Sequence, residues 1–329
     1  MASDPPLDCL LGRCDSLRAE VFFRAALPPG VDAADATLSG TLTGPDCRRA
    51  ITLPVTARLA AVPGPPQAPL VATVVARAIL TEPSFWTPEL PNRYRLDARL
   101  VAGNRDLAAW QRPVGLRRLG VRARSLWLDG RRYVPRGILG RSADLDIAGF
   151  RDAALAAVVA DPSETFLERS DTEGVAVIGL LADGQDQPLE MAAAVERLAA
   201  WAWHPALLVA VVVAAVPGAE AGRIAAATRS SRNTLLLAHE VDGTEPPPAV
   251  AAGIDLFVVT LPAGGLPHEA WRTEPPGVPL MARRVADVAC APGPRPTSRS
   301  DCDALQAALA GWGTTGSGPA SDWAGYVAG

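Results

Sequence analysis

The chain has 329 residues, enough for two domains or for one barrel with a smaller module. Hydrophobic residues make up 49% of it, much of that Ala, and the formal net charge is −4. No apolar run reaches the ~18 residues of a membrane helix, because the stretch from Leu207 to Val216 stops at Pro217-Gly218, so a membrane is not expected as a partner. All 31 basic residues are Arg, which excludes Schiff-base chemistry and the phosphate-binding Lys of a P-loop. The Arg residues are scattered, so nucleic acid is not implied either.

The opening Met1-Ala2-Ser3-Asp4-Pro5-Pro6 has neither the basic nor the apolar part of a secretory signal. Five cysteines, Cys9, Cys14, Cys47, Cys290 and Cys302, form no Cys-x-x-Cys pair and lie far from the three histidines. This reads as reduced thiols in a cytoplasmic protein with no metal and no cofactor, with a Cys9/Cys14 or Cys290/Cys302 disulfide as the alternative.

From residue 9 to about 118 short apolar or alternating runs alternate with turn residues. Strands are predicted over Ser16 to Leu27, Ala36 to Leu42, Ala50 to Ala61, Ala68 to Leu80 and Tyr94 to Val101. The separators are Pro28-Pro29-Gly30, Thr43-Gly44-Pro45-Asp46, Pro63-Gly64-Pro65-Pro66 and Gly103-Asn104. Residues 1–118 are therefore expected to form an immunoglobulin-like β-sandwich.

Past residue 120 the period changes. Leu126 to Ile138 contains a hairpin with Asp129-Gly130 at its tip, as a type I′ turn requires. Met191, Val195, Leu198 and Ala202 recur at spacings of four, three and four, which places an apolar stripe on a helix. Leu207 to Ala215 reads as a strand buried on both faces, and Ala219 to Thr228 as a helix. Further strands are predicted at Thr234 to Ala238, Ile254 to Leu261 and Val278 to Ala282. Ser300 opens a last helix with Asp303 in capping-box position, and Trp323 to Val327 is a candidate final strand after the flexible Gly313 to Ser321. Strands alternating with helices predict a reduced TIM-type (β/α)8 barrel over 119–329, with some helices short or missing.

Several segments in this order resemble the family 2 glycoside hydrolases, the β-galactosidase and β-glucuronidase group. Phe85-Trp86-Thr87-Pro88-Glu89-Leu90-Pro91-Asn92-Arg93-Tyr94 is similar to the Trp-x-Pro-x-x-Pro-x-Leu-Tyr signature of the family's immunoglobulin-like domain. Leu126 to Ile138 is similar to its hairpin and Arg-Gly strand leading into the barrel, and Phe166 to Val177 to its helix ending in Asp-Glu-Leu-Gly. Trp203-His204-Pro205-Ala206 resembles the Asn-His-Pro-Ser that precedes the strand carrying the family's acid/base. The likeness covers roughly residues 80 to 290, and nothing resembles the family's jelly-roll domain.

The departures fall where the resemblance implies chemistry. Retaining hydrolysis uses one carboxyl to protonate the leaving oxygen and a second, roughly 5 to 5.5 Å away, to attack the anomeric carbon. The register puts Ala214-Ala215 where the family has Asn-Glu, and Arg283-Arg284 at the end of the seventh strand where the nucleophile belongs. Val158-Val159-Ala160-Asp161-Pro162-Ser163 lacks the Arg and His that the family carries after its second strand.

The expectation is a noncatalytic, glycosidase-like protein that binds a carbohydrate weakly or presents surfaces to another protein subunit. Asp183, His239-Glu240 and Arg283-Arg284 are the candidate polar groups at the strand ends, and Trp271, in a Pro-rich loop, could stack on a sugar or a partner. Against each stands a structural role: a loop turn for Asp183, a strand-end pair for His239-Glu240, an ion pair to Glu240 or Asp183 for Arg283. His204 is expected to fix the turn before Pro205, and Trp201, Trp203 and Trp86 to pack. The alternative is an active hydrolase with migrated carboxylates, Glu240 and Asp183, which requires them to face each other within roughly 5 to 9.5 Å.

Overall fold

The computed structural model describes residues 5–62, 72–141, 145–183, 187–285, 299–314 and 322–329. Cys290, Gly184, the start of the strand expected from Ala68, the turn at 63–66 and most of the stretch from Gly313 to Ser321 lie outside them. The chain divides into two compact units, one of residues 1–86 with 90–117, the other of residues 87–89 with 118–329.

Among its described residues the first unit holds eight antiparallel strands: β1 (Leu7–Cys14), β2 (Arg18–Ala26), β3 (Ala36–Asp46), β4 (Val55–Arg58), β5 (Ala60–Val62), β6 (Thr73–Thr81), β7 (Arg93–Ala102) and β8 (Arg105–Val114). They form two four-stranded sheets, ordered β1-β2-β6-β5 and β4-β3-β7-β8, with β6 of one against β3 and β4 of the other. The cause is strict alternation. Val21, Phe23 and Ala25 on β2, with Tyr94, Leu96, Ala98 and Leu100 on β7, are buried, while Arg95 and Arg99 between them face solvent. Sequence reading missed β1 and β8: β1 is half-buried along nearly its whole length, which erases the alternation. The segment read as one strand from Ala50 to Ala61 is two, β4 pairing with β3 and β5 with β6.

In the second unit β9 (Leu119–Arg122), β10 (Ser125–Leu128) and β11 (Arg131–Tyr133) form a small antiparallel sheet. Asp129 (φ 48°) and Gly130 (φ 76°) both take the left-handed φ of a type I′ turn between β10 and β11. Then follow β12 (Arg136–Leu139), α1 (Ile147–Asp152), β13 (Ala156–Ala160), α2 (Glu164–Glu173), β14 (Val177–Leu180), α3 (Met191–Trp201), β15 (Leu207–Val212), α4 (Gly218–Thr228), β16 (Leu236–Asp242), β17 (Leu256–Leu261), α5 (Ala270–Thr273), β18 (Leu280–Arg284), α6 (Ser300–Thr314) and β19 (Gly325–Ala328). The strands β12 to β19 close into an eight-stranded parallel barrel, with β19 paired to both β18 and β12. The β16–β17 connection has no helix, and α5 is a single turn of four residues, as the short chain requires.

Small residues decide which side of each strand can be filled. On Gly137 a Cβ would lie 2.7 Å from Val158 Cγ2 and 3.2 Å from Val327 Cγ2, so glycine makes room inside the barrel for its two neighbours. On Gly179 a Cβ would lie 3.0 Å from the Trp201 ring, so here glycine lets a helix tryptophan lie on the outer face of β14. Cys9, Cys14, Cys47 and Cys302 are thiols, not disulfides.

Two strands run further than the sequence pattern indicated. β16 continues through His239-Glu240 to Asp242, and β18 through Arg283-Arg284. These residues were expected after their strands. They lie inside them because β17, beside β16, and β17 and β19, beside β18, offer a ladder up to that point.

Candidate functional site

At the C-terminal ends of the barrel strands lies a cavity of about 870 Å³. Alternation along β16 turns Glu240 and Asp242 inward to line it and His239 outward. In the ladder Asp242 pairs with Thr260 and Thr260 with Arg283, so these three side chains point the same way and also line the cavity. Ala214-Ala215 form the turn after β15 and line it with methyl groups.

Glu240 is 7% exposed and both its oxygens are occupied. Oε1 accepts from Arg283 Nη1 and, at 2.9 Å, from the Thr260 hydroxyl. Oε2 accepts from the backbone N–H of Ala214 at 3.3 Å. Donors from β17, β18 and the turn after β15 thus converge on one carboxylate of β16. Asp242 is exposed, and its Oδ1 accepts from the Thr244 N–H at 2.8 Å and the Thr244 hydroxyl at 2.7 Å. Those two bonds hold the Asp242 carboxyl below the usual carboxylate range, against a small opposing effect of burial.

The other residues singled out from sequence do not join this group. Asp183 sits in the loop after β14, where its Oδ1 accepts from Gln187 N at 2.9 Å and its own N–H donates to Gln187 O at 2.7 Å; it is not among the cavity's lining residues. His239 faces out, with Nε2 3.0 Å from Val216 O and its ring 6.3 Å from that of Phe257. Arg284 reaches Gly265 O at 3.3 Å. Trp271 requires a correction: it is fully buried in α5, donates Nε1–H to Glu245 O at 2.7 Å and meets the Phe257 ring edge-on at 6.2 Å, so it has no face to offer a sugar or a partner. Asp242, Thr244 and Thr260 were missed. Asp242-Gly243 marks a turn, and a carboxylate two residues from Glu240 follows once β16 is extended to that turn.

At the opposite ends of the strands His204 is nearly buried, with Nδ1 2.7 Å from Asp171 Oδ2 and Nε2 3.2 Å from Glu164 Oε2. Asp171 Oδ1 also accepts from Ala206 N at 2.9 Å, which fixes the entry into β15. The segment that carries Asp171 ends in Gly174, a left-handed C-cap (φ 74°) that stops α2 and turns the chain into β14. Burial works to lower the His204 pKa, but the bond to Asp171 and the charges of Asp171 and Glu164 outweigh it and raise the value.

Burial pushes the Cys9 thiol up to about 12 and the Cys302 thiol up to about 11, so neither is a thiolate near neutral pH. Among the described residues no group of His, Cys, Asp and Glu is arranged to hold a metal, and no helix is long and apolar enough to cross a membrane.

No protein-family profile and no curated protein matches the sequence. Solved structures do match. A putative β-galactosidase from Bacteroides fragilis superposes with a TM-score of 0.63 at 16% identity over 98% of this chain and 54% of its own. A β-glucuronidase from Bifidobacterium dentium gives 0.62 at 11% identity, covering 98% and 59%, and one from Ruminococcus gnavus 0.63 at 10%, covering 98% and 60%. The fold is theirs. The chain spans little more than half the length of these enzymes, and at such identity the likeness carries to the backbone and not to the chemistry.

Proposed function

We propose that this is a noncatalytic protein of β-galactosidase and β-glucuronidase fold, which holds a ligand or a partner subunit at the barrel mouth without cleaving a glycosidic bond. The supporting observation is the state of Glu240. A glycosidase needs one carboxyl free to give a proton and another free to attack or to activate water. Here Glu240, on the fifth barrel strand, is neutralised by Arg283 and also accepts from Thr260 and Ala214. The turn after the fourth strand offers only Ala214-Ala215, and the seventh strand carries a cation inward. The hydrolase using Glu240 and Asp183 is the weaker reading, because Asp183 is closed on its own loop.

The first unit supports an immunoglobulin-like reading. Taken as strands A to G with an added C′, its sheets have the orders A-B-E-D and C′-C-F-G. Tyr94, at the start of β7, accepts through its hydroxyl from Ser84 N at 2.9 Å, the bond of a tyrosine corner.

A panel of aryl glycosides at high protein concentration tests the proposal. The expected rate equals that of a Glu240→Gln/Asp242→Asn double variant. Turnover that disappears on Glu240→Gln alone would show that the carboxylate works, and the proposal would fall.

A further inference from the structure

The walls of the cavity and its charge specify a ligand chemistry. Leu139, Leu180, Val213, Pro262 and Val285, with four alanines, make most of the described lining residues apolar, and no aromatic ring is among them. The polar groups are Glu240, Asp242, Thr244, Thr260 and Arg283. Glu240 and Arg283 cancel each other. Among the described lining residues what is left is one negative charge, on Asp242, at the rim. Only its Oδ1 is engaged by Thr244, and no ion pair to Asp242 occurs among the described residues. Thr244 donates twice to that carboxylate, so it fixes the direction of the charge without neutralising it.

A pyranose suits such a cavity poorly. It presents a ring of hydroxyls, each of which loses water on entry and needs a partner, and the two inward carboxylates and one guanidinium are already spoken for except at Asp242. An aliphatic chain loses nothing against Leu, Val and Pro, and a single cationic end finds its counter-charge at Asp242. Asp242 and Arg283 are in register two strands apart, about 9.6 Å at the usual strand spacing, and Arg283 is turned to Glu240, so the guanidinium does not compete for the rim. The volume, about 870 Å³, fits a compact organic molecule and exceeds what one ion needs.

We infer that the barrel mouth binds an aliphatic primary amine, its ammonium group on Asp242 and its hydrocarbon against the Leu139, Leu180, Val213 and Pro262 wall. This rests on the preceding reading in one respect, that the Glu240–Arg283 pair stays closed.

Calorimetric titration of the full chain with hexylamine, 1-hexanol, hexanoate and methyl β-D-glucopyranoside tests it. Hexylamine should bind roughly three- to tenfold more tightly than hexanol, the gain of one exposed charge-assisted contact, and hexanoate more weakly than both. Asp242→Asn should remove the amine's advantage and leave hexanol binding unchanged, which also shows that the variant is folded. Raising the salt should narrow the gap in the unmodified protein alone. An advantage that survives in Asp242→Asn, a pyranoside that binds more tightly than hexylamine, or no binding by any probe would overturn the inference. Glycoside turnover would sink the noncatalytic reading while leaving the amine preference measurable, so the two failures are distinct.

Discussion

Replacing Arg283 with Met leaves a carboxylate inside the barrel with its cation removed. The Glu240 and Arg283 side chains are 9% and 15% exposed, so water screens the pair little and cannot take the place of the guanidinium without entering the cavity floor. Breaking a buried pair from one side costs about 3 to 5 kcal/mol. Glu240 keeps two donors, the Thr260 hydroxyl and Ala214 N–H, which places the expected loss at the lower end, about 3 kcal/mol. For a unit of this size that is a fall of about 6 to 12 °C in the barrel's melting temperature by scanning calorimetry. The Glu240→Met/Arg283→Met double variant removes both charges and adds apolar volume, and should lie within about 1 kcal/mol of the unmodified protein. The coupling between the two positions is therefore expected to exceed about 2 kcal/mol. If Arg283→Met costs nothing, or the double variant falls as far as the single one, Glu240 is not held as a buried ion pair and is free to take part in chemistry at the barrel mouth.

Asp171→Asn tests the bracket before β15. His204 has a raised pKa in the folded protein, so the stability it adds is fully present below its unfolded value of about 6.5 and is lost as pH rises through the folded value. Urea unfolding at about pH 5.5, 7 and 8.5 should show the gap between the unmodified protein and Asp171→Asn widest at the lowest pH; a gap that does not change with pH refutes the assignment. Trp271→Ala should lower barrel stability by about 3 to 5 kcal/mol, since it empties a fully buried site and strands Glu245 O, whereas a tryptophan on a ligand-binding surface would cost little. Gly137→Ala puts a methyl 2.7 Å from Val158 Cγ2 and should cost about 1 to 3 kcal/mol, recovered in part by Val158→Ala; absence of that rescue would place the crowding elsewhere.

What the sequence made legible was set by burial. The barrel strands are apolar on both faces, so Leu207–Val212 and Leu256–Leu261 stand out as runs, and the helices between them show as stripes. The hairpin was legible because Asp129-Gly130 has one conformational use. The ends of β16 and β18 were not, because there the inward side becomes polar where the cavity opens, and an apolar pattern stops two or more residues before the hydrogen-bonded ladder does. The candidate site lies in that margin. The pairing of Arg283 with Glu240 was legible as one of two ion pairs the sequence allowed, the other being with Asp183; what was not legible is that Thr260, on the strand between them, also donates to Glu240. Trp271 misled for the reverse reason: prolines around it read as loop, while Phe257 and the Glu245 carbonyl draw it into the core.

The same geometry explains why a carboxylate stands inside a barrel for which we propose no chemistry. A glutamate facing inward near the top of β16 is costly alone, yet four elements meet at it: β16 itself, β17 through Thr260, β18 through Arg283 and the turn after β15 through Ala214. That makes it a tie across the rim on the side where the β16–β17 connection lacks a helix to brace the strands. A reactive carboxyl has to exchange a proton, whereas a tie is best when a counter-charge and donors from several elements hold the carboxylate ionised and in place. Glu240 is held in that way, by Arg283 and Thr260 on Oε1 and Ala214 on Oε2, and that leaves Asp242, one pleat further out and without a cation among the described residues, as the group through which we propose that the barrel mouth recognises a ligand.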